Sequence, residues 1–262
     1  MTIPLFPWLS QRLRPARLPL RTWLNLPVLA VLAALSLAAS LFLSGCQSVS
    51  GYTQVSLVRV IDASYNAPAL DISVEGTLLA ANLGQGTISS YGTFKPSNNA
   101  AVKLTAASNN KTLASASATL LAGKANSVLI TDVAAGYQVT VLADQSTPAP
   151  SGHSEFRLLN QAPSTGAVDV YFLSGTADTV LAVAKPVITA LAVGATSGYV
   201  SIPSSTLYML IAPSGATLST TDTTIYISQP IALTGGEVRT VLIVDPQLVT
   251  QPVQVYTAND VN

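Results

Sequence analysis

The chain has 262 residues, and its 12 Lys and Arg balance its 12 Asp and Glu. Only 9% of residues are charged, too few for the basic patch that nucleic-acid binding requires. One cysteine, Cys46, and one histidine, His153, exclude an intrachain disulfide, histidine-dependent triads and multi-histidine metal sites.

The N-terminal segment carries Arg12, Arg14, Arg17 and Arg21, then an apolar run from Leu26 to Leu43. Leu43-Ser44-Gly45-Cys46 closes it. Basic start, apolar middle and small residues at a cut site are the order of a secretory signal. Ending on the lone thiol, the segment resembles the lipobox of bacterial lipoprotein signal peptides. That resemblance implies a signal peptide over 1–45, cleavage before Cys46, a diacylglycerol on its sulfur and an acyl chain such as palmitate on its new amino group. Gln47 after the lipidated Cys points to the outer membrane in a host with two membranes. An uncleaved transmembrane helix is the alternative, because the run approaches the ~20 residues that span a bilayer. Either anchor leaves the rest of the chain outside the cytoplasm.

Residues 46–52 read as a tether. About 216 residues remain once the signal is removed, enough for two ordinary domains. They contain an internal repeat. Arg59-Val60-Ile61-Asp62 leads to Asp71-Ile72-Ser73-Val74 as Arg157-Leu158-Leu159-Asn160 leads to Asp169-Val170-Tyr171-Phe172. The G-x-x-S-x-Y segment ending at Tyr91 matches the one ending at Tyr199. Val128-Leu129-Ile130-Thr131-Asp132 answers Val241-Leu242-Ile243-Val244-Asp245. Repeat 1 therefore spans 53–144 and repeat 2 spans 153–262, joined by a Pro-rich linker over 145–152.

Within each repeat the apolar period is two, as in Leu70-Asp71-Ile72-Ser73-Val74-Glu75, which predicts half-buried strands. Val128-Leu129-Ile130 and Val241-Leu242-Ile243-Val244 are apolar throughout, which predicts central strands covered on both faces. Ser108-Asn109-Asn110, Ser214-Gly215 and similar clusters punctuate the strands as turns. The Ala-rich Leu113–Leu121 stretch reads as strand. The fold class is all-β: two tandem antiparallel β-sandwich domains, immunoglobulin-like in architecture.

From Arg59 to Thr77 the sequence resembles the opening of a bacterial domain-of-unknown-function family, number 4397: an Arg, an Ala-Ser-x-x-Ala-Pro loop, an Asp and a strand ending in a Gly turn. The resemblance implies a β fold in a secreted or surface setting and no established activity. Repeat 2 departs from it at Gln161–Gly166 and carries extra residues around Val180–Val193.

Arg59 with Asp71, and Arg157 with Asp169, are read as structural ion pairs that fix strand register across a short loop, since Arg and carboxylate make strong bidentate bonds. Asp62, Asp71 and Glu75 form the one dense acidic set, the only candidates for an acid–base pair in glycoside hydrolysis or for calcium ligands. Against both, Asp71 and Glu75 occupy alternate strand positions read as solvent-facing and Asp71 is assigned to Arg59, and against calcium no D-x-D-x-D spacing occurs. Tyr91 and Tyr199, repeating in register, are read as packing residues. The candidate ligand loop is that of Tyr65, Asn66 and Pro68, because loops at sandwich ends carry binding. No catalytic residue, metal site or cofactor is expected. The sequence predicts a non-catalytic, lipid-anchored envelope protein that acts as an interaction or structural module, displaying the loops Ala63–Pro68 and Gln161–Gly166 to an envelope protein or a glycan. A carbohydrate- or peptidoglycan-binding module is the alternative, and a carboxylate-dependent glycosidase a more distant one.

Overall fold

The structure, a computed structural model, describes residues 54–247 and 250–260. The signal segment, the lipobox, Cys46 and Gln47 lie outside these residues. Among the described residues the regular structure is strand apart from one short helix, and the strands form four sheets. In repeat 1 an inner sheet orders β4 (Gly92–Phe94), β1 (Ser56–Asp62), β7 (Ala125–Val133) and β8 (Gly136–Ala143). Its outer sheet orders β3 (Thr77–Leu83), β2 (Leu70–Val74), β5 (Ser97–Ala106) and β6 (Thr112–Leu120). Repeat 2 copies this plan. Its inner sheet orders β12 (Val200–Pro203), β9 (His153–Gln161), β16 (Val238–Val244) and β17 (Gln254–Asn259). Its outer sheet orders β11 (Ile188–Leu191), β10 (Val168–Leu173), β13 (Thr206–Pro213) and β14 (Tyr226–Ile227), with β15 (Ile231–Ala232) also on β13.

The pairing is mixed rather than purely antiparallel. β1 runs parallel to β7, and β9 parallel to β16. A parallel pair needs a long crossover, and here the whole run of strands between the two partners supplies it. A second correction follows from the same topology. The chain crosses from the inner to the outer sheet between β1 and β2, so these strands do not pair as a hairpin.

Alternation along each strand sorts side chains between layers. Val58 and Val60 of β1, with Val128 and Ile130 of β7, pack against Leu70, Ile72 and Leu104 of the outer sheet. Phe156, Leu158, Val241 and Ile243 do the same against Val168, Val170 and Ile211 in repeat 2. The intervening residues point the other way. Ile61, Leu129, Leu159, Leu242 and Val244 form one cluster drawn from both inner sheets. The apolar β7 and β16 segments are thus covered on both faces. Each Leu or Ile buried in this way contributes ~1.5–3 kcal/mol. The described residues belong to a single compact unit.

Repeat 2 has one added layer. A four-residue helix, α1 (Asp178–Leu181), and the segment before β14 lie on the outside of its outer sheet. Leu181 and Ile225 cover Tyr171, Leu210 and Ala212 there. Of the extra residues noted around Val180–Val193, Leu181 and Ala184 supply part of this cover, and the segment before β14 supplies the rest. In repeat 1 the same face carries Asp71, Ser73, Lys103 and Thr105 and meets solvent.

Candidate functional site

Two polar constellations stand out, and both join the repeats. The first lies between the inner sheets. Arg59, on the side of β1 that faces repeat 2, is 1% exposed. Its Nε donates to Ser127 Oγ at 2.8 Å, and Nη1 to the Asn259 carbonyl at 3.0 Å. Its Nη2 donates to Thr240 Oγ1 at 3.0 Å and to Asp260 Oδ1 at 2.5 Å. Arg157 mirrors it from β9. Nη1 donates to the Ala143 carbonyl at 3.1 Å, and Nη2 to Asp144 Oδ1 at 2.6 Å and Thr240 Oγ1 at 2.8 Å. Each arginine also lies near the other carboxylate, Arg59 at 3.8 Å from Asp144 and Arg157 at 3.6 Å from Asp260. Tyr91 covers the Arg59 guanidinium at 4.9 Å and Tyr199 covers Arg157 at 5.1 Å. Tyr91 Oη donates to Asp144 Oδ2 at 2.7 Å, and Tyr199 Oη donates to Asp260.

The arrangement has an approximate two-fold relation. Asp144 and Asp260 each follow the last strand of their repeat, and each N–H donates to the start of its neighbour, to Ala125 O at 2.9 Å and Val238 O at 2.8 Å. Each Asp serves the arginines of both repeats, so this is a shared ion cluster rather than two local pairs. Burial pushes both phenols above their ordinary range, against the pull of the adjacent arginines, so Tyr91 and Tyr199 remain O–H donors. For Arg157 burial works against the charge, but Asp144, Tyr199 and Asp260 carry it above its usual value.

This corrects the expected ion pairs. Asp71 and Asp169 do not meet Arg59 and Arg157. They sit on outer sheets and face away from the core, while the arginines project from the inner sheets toward the other repeat. Asp71 Oδ1 instead accepts the N–H of Asn82 at 2.9 Å, and Asp169 Oδ1 accepts that of Ala190 at 2.7 Å. Asn82 and Ala190 have φ of 51° and 48°, and both lie in strands whose pairing register shifts. The two carboxylates therefore hold matched β-bulges. Ser214 and Gly215 also donate to Asp169 and, against partial burial, hold its carboxyl below the usual range. Glu75 accepts from the Ala101 N–H at 2.6 Å. Among the described residues no cluster of three or more metal-ligating side chains occurs. His153 sits at the linker edge near the Ser151 carbonyl.

The second constellation is a cleft of about 960 Å³ where the β1–β2 and β9–β10 loops converge. Tyr65, Asn66 and Asp132 of repeat 1 line it, with Ser164, Thr165 and Asp245 of repeat 2. The walls are built alike. Tyr65 N–H donates to Asp132 Oδ2 at 2.5 Å. Ser164 donates to Asp245 through its N–H at 3.0 Å and its hydroxyl at 2.9 Å. Asp132 is the penultimate residue of β7 and Asp245 directly follows β16, so each loop is clamped by a carboxylate at the end of a central strand. The Tyr65 side chain remains 53% exposed. Tyr65 and Asn66 of the expected ligand loop line this cleft, whereas Pro68 is exposed outside its lining.

The carboxylates Asp144 and Asp260 were missed by sequence reasoning. The available signal was an Asp closing the last strand of each repeat, after Leu142-Ala143 and Ala258-Asn259.

Residues 56–171 match the family model described as Domain of unknown function (DUF4397). The matched span contains the Arg59–Thr77 segment, takes in repeat 1 and runs on through β9 into β10. No curated protein matches the chain. Among solved structures it is similar to family 41 carbohydrate-binding modules from streptococcal virulence factors, described for alpha-glucan recognition, at 15% identity over 77% of this chain and 96% of that one, TM-score 0.26. It is also similar to a family 26 carbohydrate-binding module from Eubacterium rectale Amy13K in complex with maltoheptaose, at 10% identity over 76% of this chain and 96% of that one, TM-score 0.23.

Proposed function

We propose that this chain is a non-catalytic, lipid-anchored envelope protein whose two repeats act as one interaction module, with the shared cleft as its binding site. The observation that carries the reading is the convergence of corresponding loops from both repeats on one cleft, each loop pinned by its own carboxylate. Pinned loops on a rigid scaffold lower the ordering cost of binding. Asp132 and Asp245 are both engaged by backbone N–H groups, which suits a positioning role better than acid–base work.

A glycan is the ligand class favoured by one further observation. Tyr65 presents an exposed ring beside the amide of Asn66, with Thr and Gln side chains across the cleft. Aromatic face plus amide and hydroxyl groups complements a sugar's apolar face and its hydroxyls. The test uses the fragment Ser48–Asn262 on glycan arrays and in cell-wall pulldowns. Retention on wall glycan is expected, and Tyr65→Ala is expected to weaken it about tenfold or more, as for a central aromatic anchor. Failure on every glycan, with capture of an envelope protein that Tyr65→Ala abolishes, supports a protein partner instead.

The anchor is proposed at Cys46, with Gln47 directing it to the outer membrane. Each buried methylene adds ~0.8 kcal/mol, and two or more chains give stable attachment. Labelling with a palmitate analogue is expected in the wild type and absent in Cys46→Ala. Equal labelling of both contradicts the lipid anchor.

A further inference from the structure

The corner where β1 leaves the inner sheet occurs again where β9 leaves its own, and the side chain at its centre differs by one heavy atom, Asp62 in one copy and Asn160 in the other. Asp62 and Asn160 are both fully buried. Asp62 N–H donates to Thr87 O and Gly86 N–H to Asp62 O; Asn160 N–H donates to Ala195 O and Gly194 N–H to Asn160 O. Asp62 Oδ1 accepts the Ser64 N–H at 2.9 Å, and Asn160 Oδ1 accepts the Ala162 N–H at 3.1 Å. The second side-chain atoms part company. Asn160 Nδ2 donates to the carbonyls of Gly166 and Leu191, both at 2.9 Å. Among the described residues Asp62 Oδ2 is buried without a partner.

The positions corresponding to Gly166 and Leu191 are Pro68 and Leu83. Pro68 follows Asp62 at the spacing by which Gly166 follows Asn160, and Leu70 faces Leu83 as Val168 faces Leu191. Carbonyl oxygens only accept. An ionised Oδ2 in this corner has nothing to bond and is costly to bury; a protonated one is a donor, as Nδ2 is.

We infer that Asp62 is a buried carboxylic acid standing in for the amide of Asn160, and that its proton holds the Ala63–Pro68 loop, with Tyr65, in place at the cleft. The loop is tied here directly, since Ser64 also donates its hydroxyl to Asp62 Oδ1 at 2.5 Å. The surroundings agree. Burial raises the Asp62 pKa, outweighing the Ser64 hydrogen bonds that lower it, and Asp132 on β7 pushes the same way. The β2 and β3 ends and the Gly84–Thr87 turn bring Leu70, Leu83, Gly84, Gln85, Gly86 and Thr87, none of them titratable. Tyr256, which packs on Gly86 from repeat 2, has its phenol pushed up by burial and is uncharged.

The sign follows from which state keeps the proton. The folded chain holds it where the unfolded chain releases it, so the stabilisation is complete below the ordinary carboxylate value and is lost as pH rises through Asp62's folded value. Asp62→Asn supplies the missing donor permanently.

The test takes the full chain in detergent, with thermal melts from pH 5 to pH 9. Relative to wild type, Asp62→Asn is expected to raise Tm by about 3 °C or more at the alkaline end, with the gap closing toward acid. Asn160→Asp is expected to do the reverse, lowering Tm increasingly as pH rises. In the wild type labelled with 13C at Asp carboxyls, the signal that Asp62→Asn removes is expected to titrate above the ordinary carboxylate range. An Asp62 carboxyl that titrates within or below the ordinary carboxylate range, an Asp62→Asn gap that does not change with pH, or a Tm rise with added Ca²⁺ in wild type but not in Asp62→Asn overturns the proposal. The consequence for the cleft rests on the glycan reading. Retention on cell-wall glycan is expected to fall with pH in wild type and to stay level in Asp62→Asn. No retention at any pH contradicts the glycan reading alone, because the melts and the carboxyl signal report on the proton without a ligand.

Discussion

Arg59→Ala is expected to destabilise the whole two-repeat body by about 3–5 kcal/mol, the cost of removing one partner from a buried ion cluster. Arg59 belongs to repeat 1, yet three of its four hydrogen-bond partners, Asn259, Thr240 and Asp260, belong to repeat 2. Its loss leaves the Asp260 carboxylate with Thr240 and Tyr199, and with Arg157 only at 3.6 Å. Arg157→Ala is expected to cost a similar amount through Asp144. Arg59→Lys is not expected to rescue, because one ammonium cannot bridge Ser127, Thr240 and Asp260 as the planar fork does. Adding Asp260→Ala to Arg59→Ala is expected to cost less than the sum of the two single changes, since it removes the stranded charge. Urea denaturation measures all of these. A loss below about 1 kcal/mol for Arg59→Ala is the figure for a solvent-exposed pair and contradicts the buried cluster.

Gly86→Ala is the second large effect. Gly86 has φ +78°, a conformation that L side chains rarely adopt. An added Cβ also lies 2.1 Å from the Tyr256 ring of the other repeat. Gly194, its counterpart in repeat 2, has the same φ of +78° but open space around it. Gly194→Ala therefore isolates the backbone strain, about 1–2 kcal/mol. Gly86→Ala is expected to cost a further ~1–3 kcal/mol for overpacking. Tyr256→Ala in the Gly86→Ala background is expected to recover part of that excess and nothing of the strain. Equal losses for the two glycine variants in urea contradict the close contact between Gly86 and Tyr256.

The strands were legible in the sequence because period-two alternation reports burial on one face directly. Leu70–Val74 is read correctly by this rule, its Leu70, Ile72 and Val74 buried and its Asp71 and Ser73 only partly so. The continuous apolar runs at Val128–Ile130 and Val241–Val244 also signalled two covered faces, though not which surface covers the second one. That surface is the other repeat. The Arg59–Asp71 pairing was misread because sequence proximity favours a local hairpin, and nothing local reveals that the chain changes sheets between β1 and β2. Asp144 and Asp260 were overlooked for the same reason: their partners lie in the other repeat, at separations no local pattern reports. The cleft was half legible. Tyr65 and Asn66 stood out as loop residues, and the loop at Gln161–Gly166 as its counterpart, but their convergence depends on packing between repeats. Asp132 and Asp245 appeared in the repeat alignment as strand ends, without a hint that they clamp the loops. The Asp62/Asn160 difference was visible as letters, and only the hydrogen bonds around Asn160 give it meaning.

Inter-repeat bonds of this kind predict that neither half unfolds alone. The most direct measurement is urea unfolding of the fragment Ser48–Asn262, followed by amide signals of Val60 and Ile130 in repeat 1 and of Leu158 and Ile243 in repeat 2. A body welded by Arg59, Arg157, Asp144 and Asp260 loses all four signals at one midpoint. Two separated midpoints, one for each repeat, contradict it.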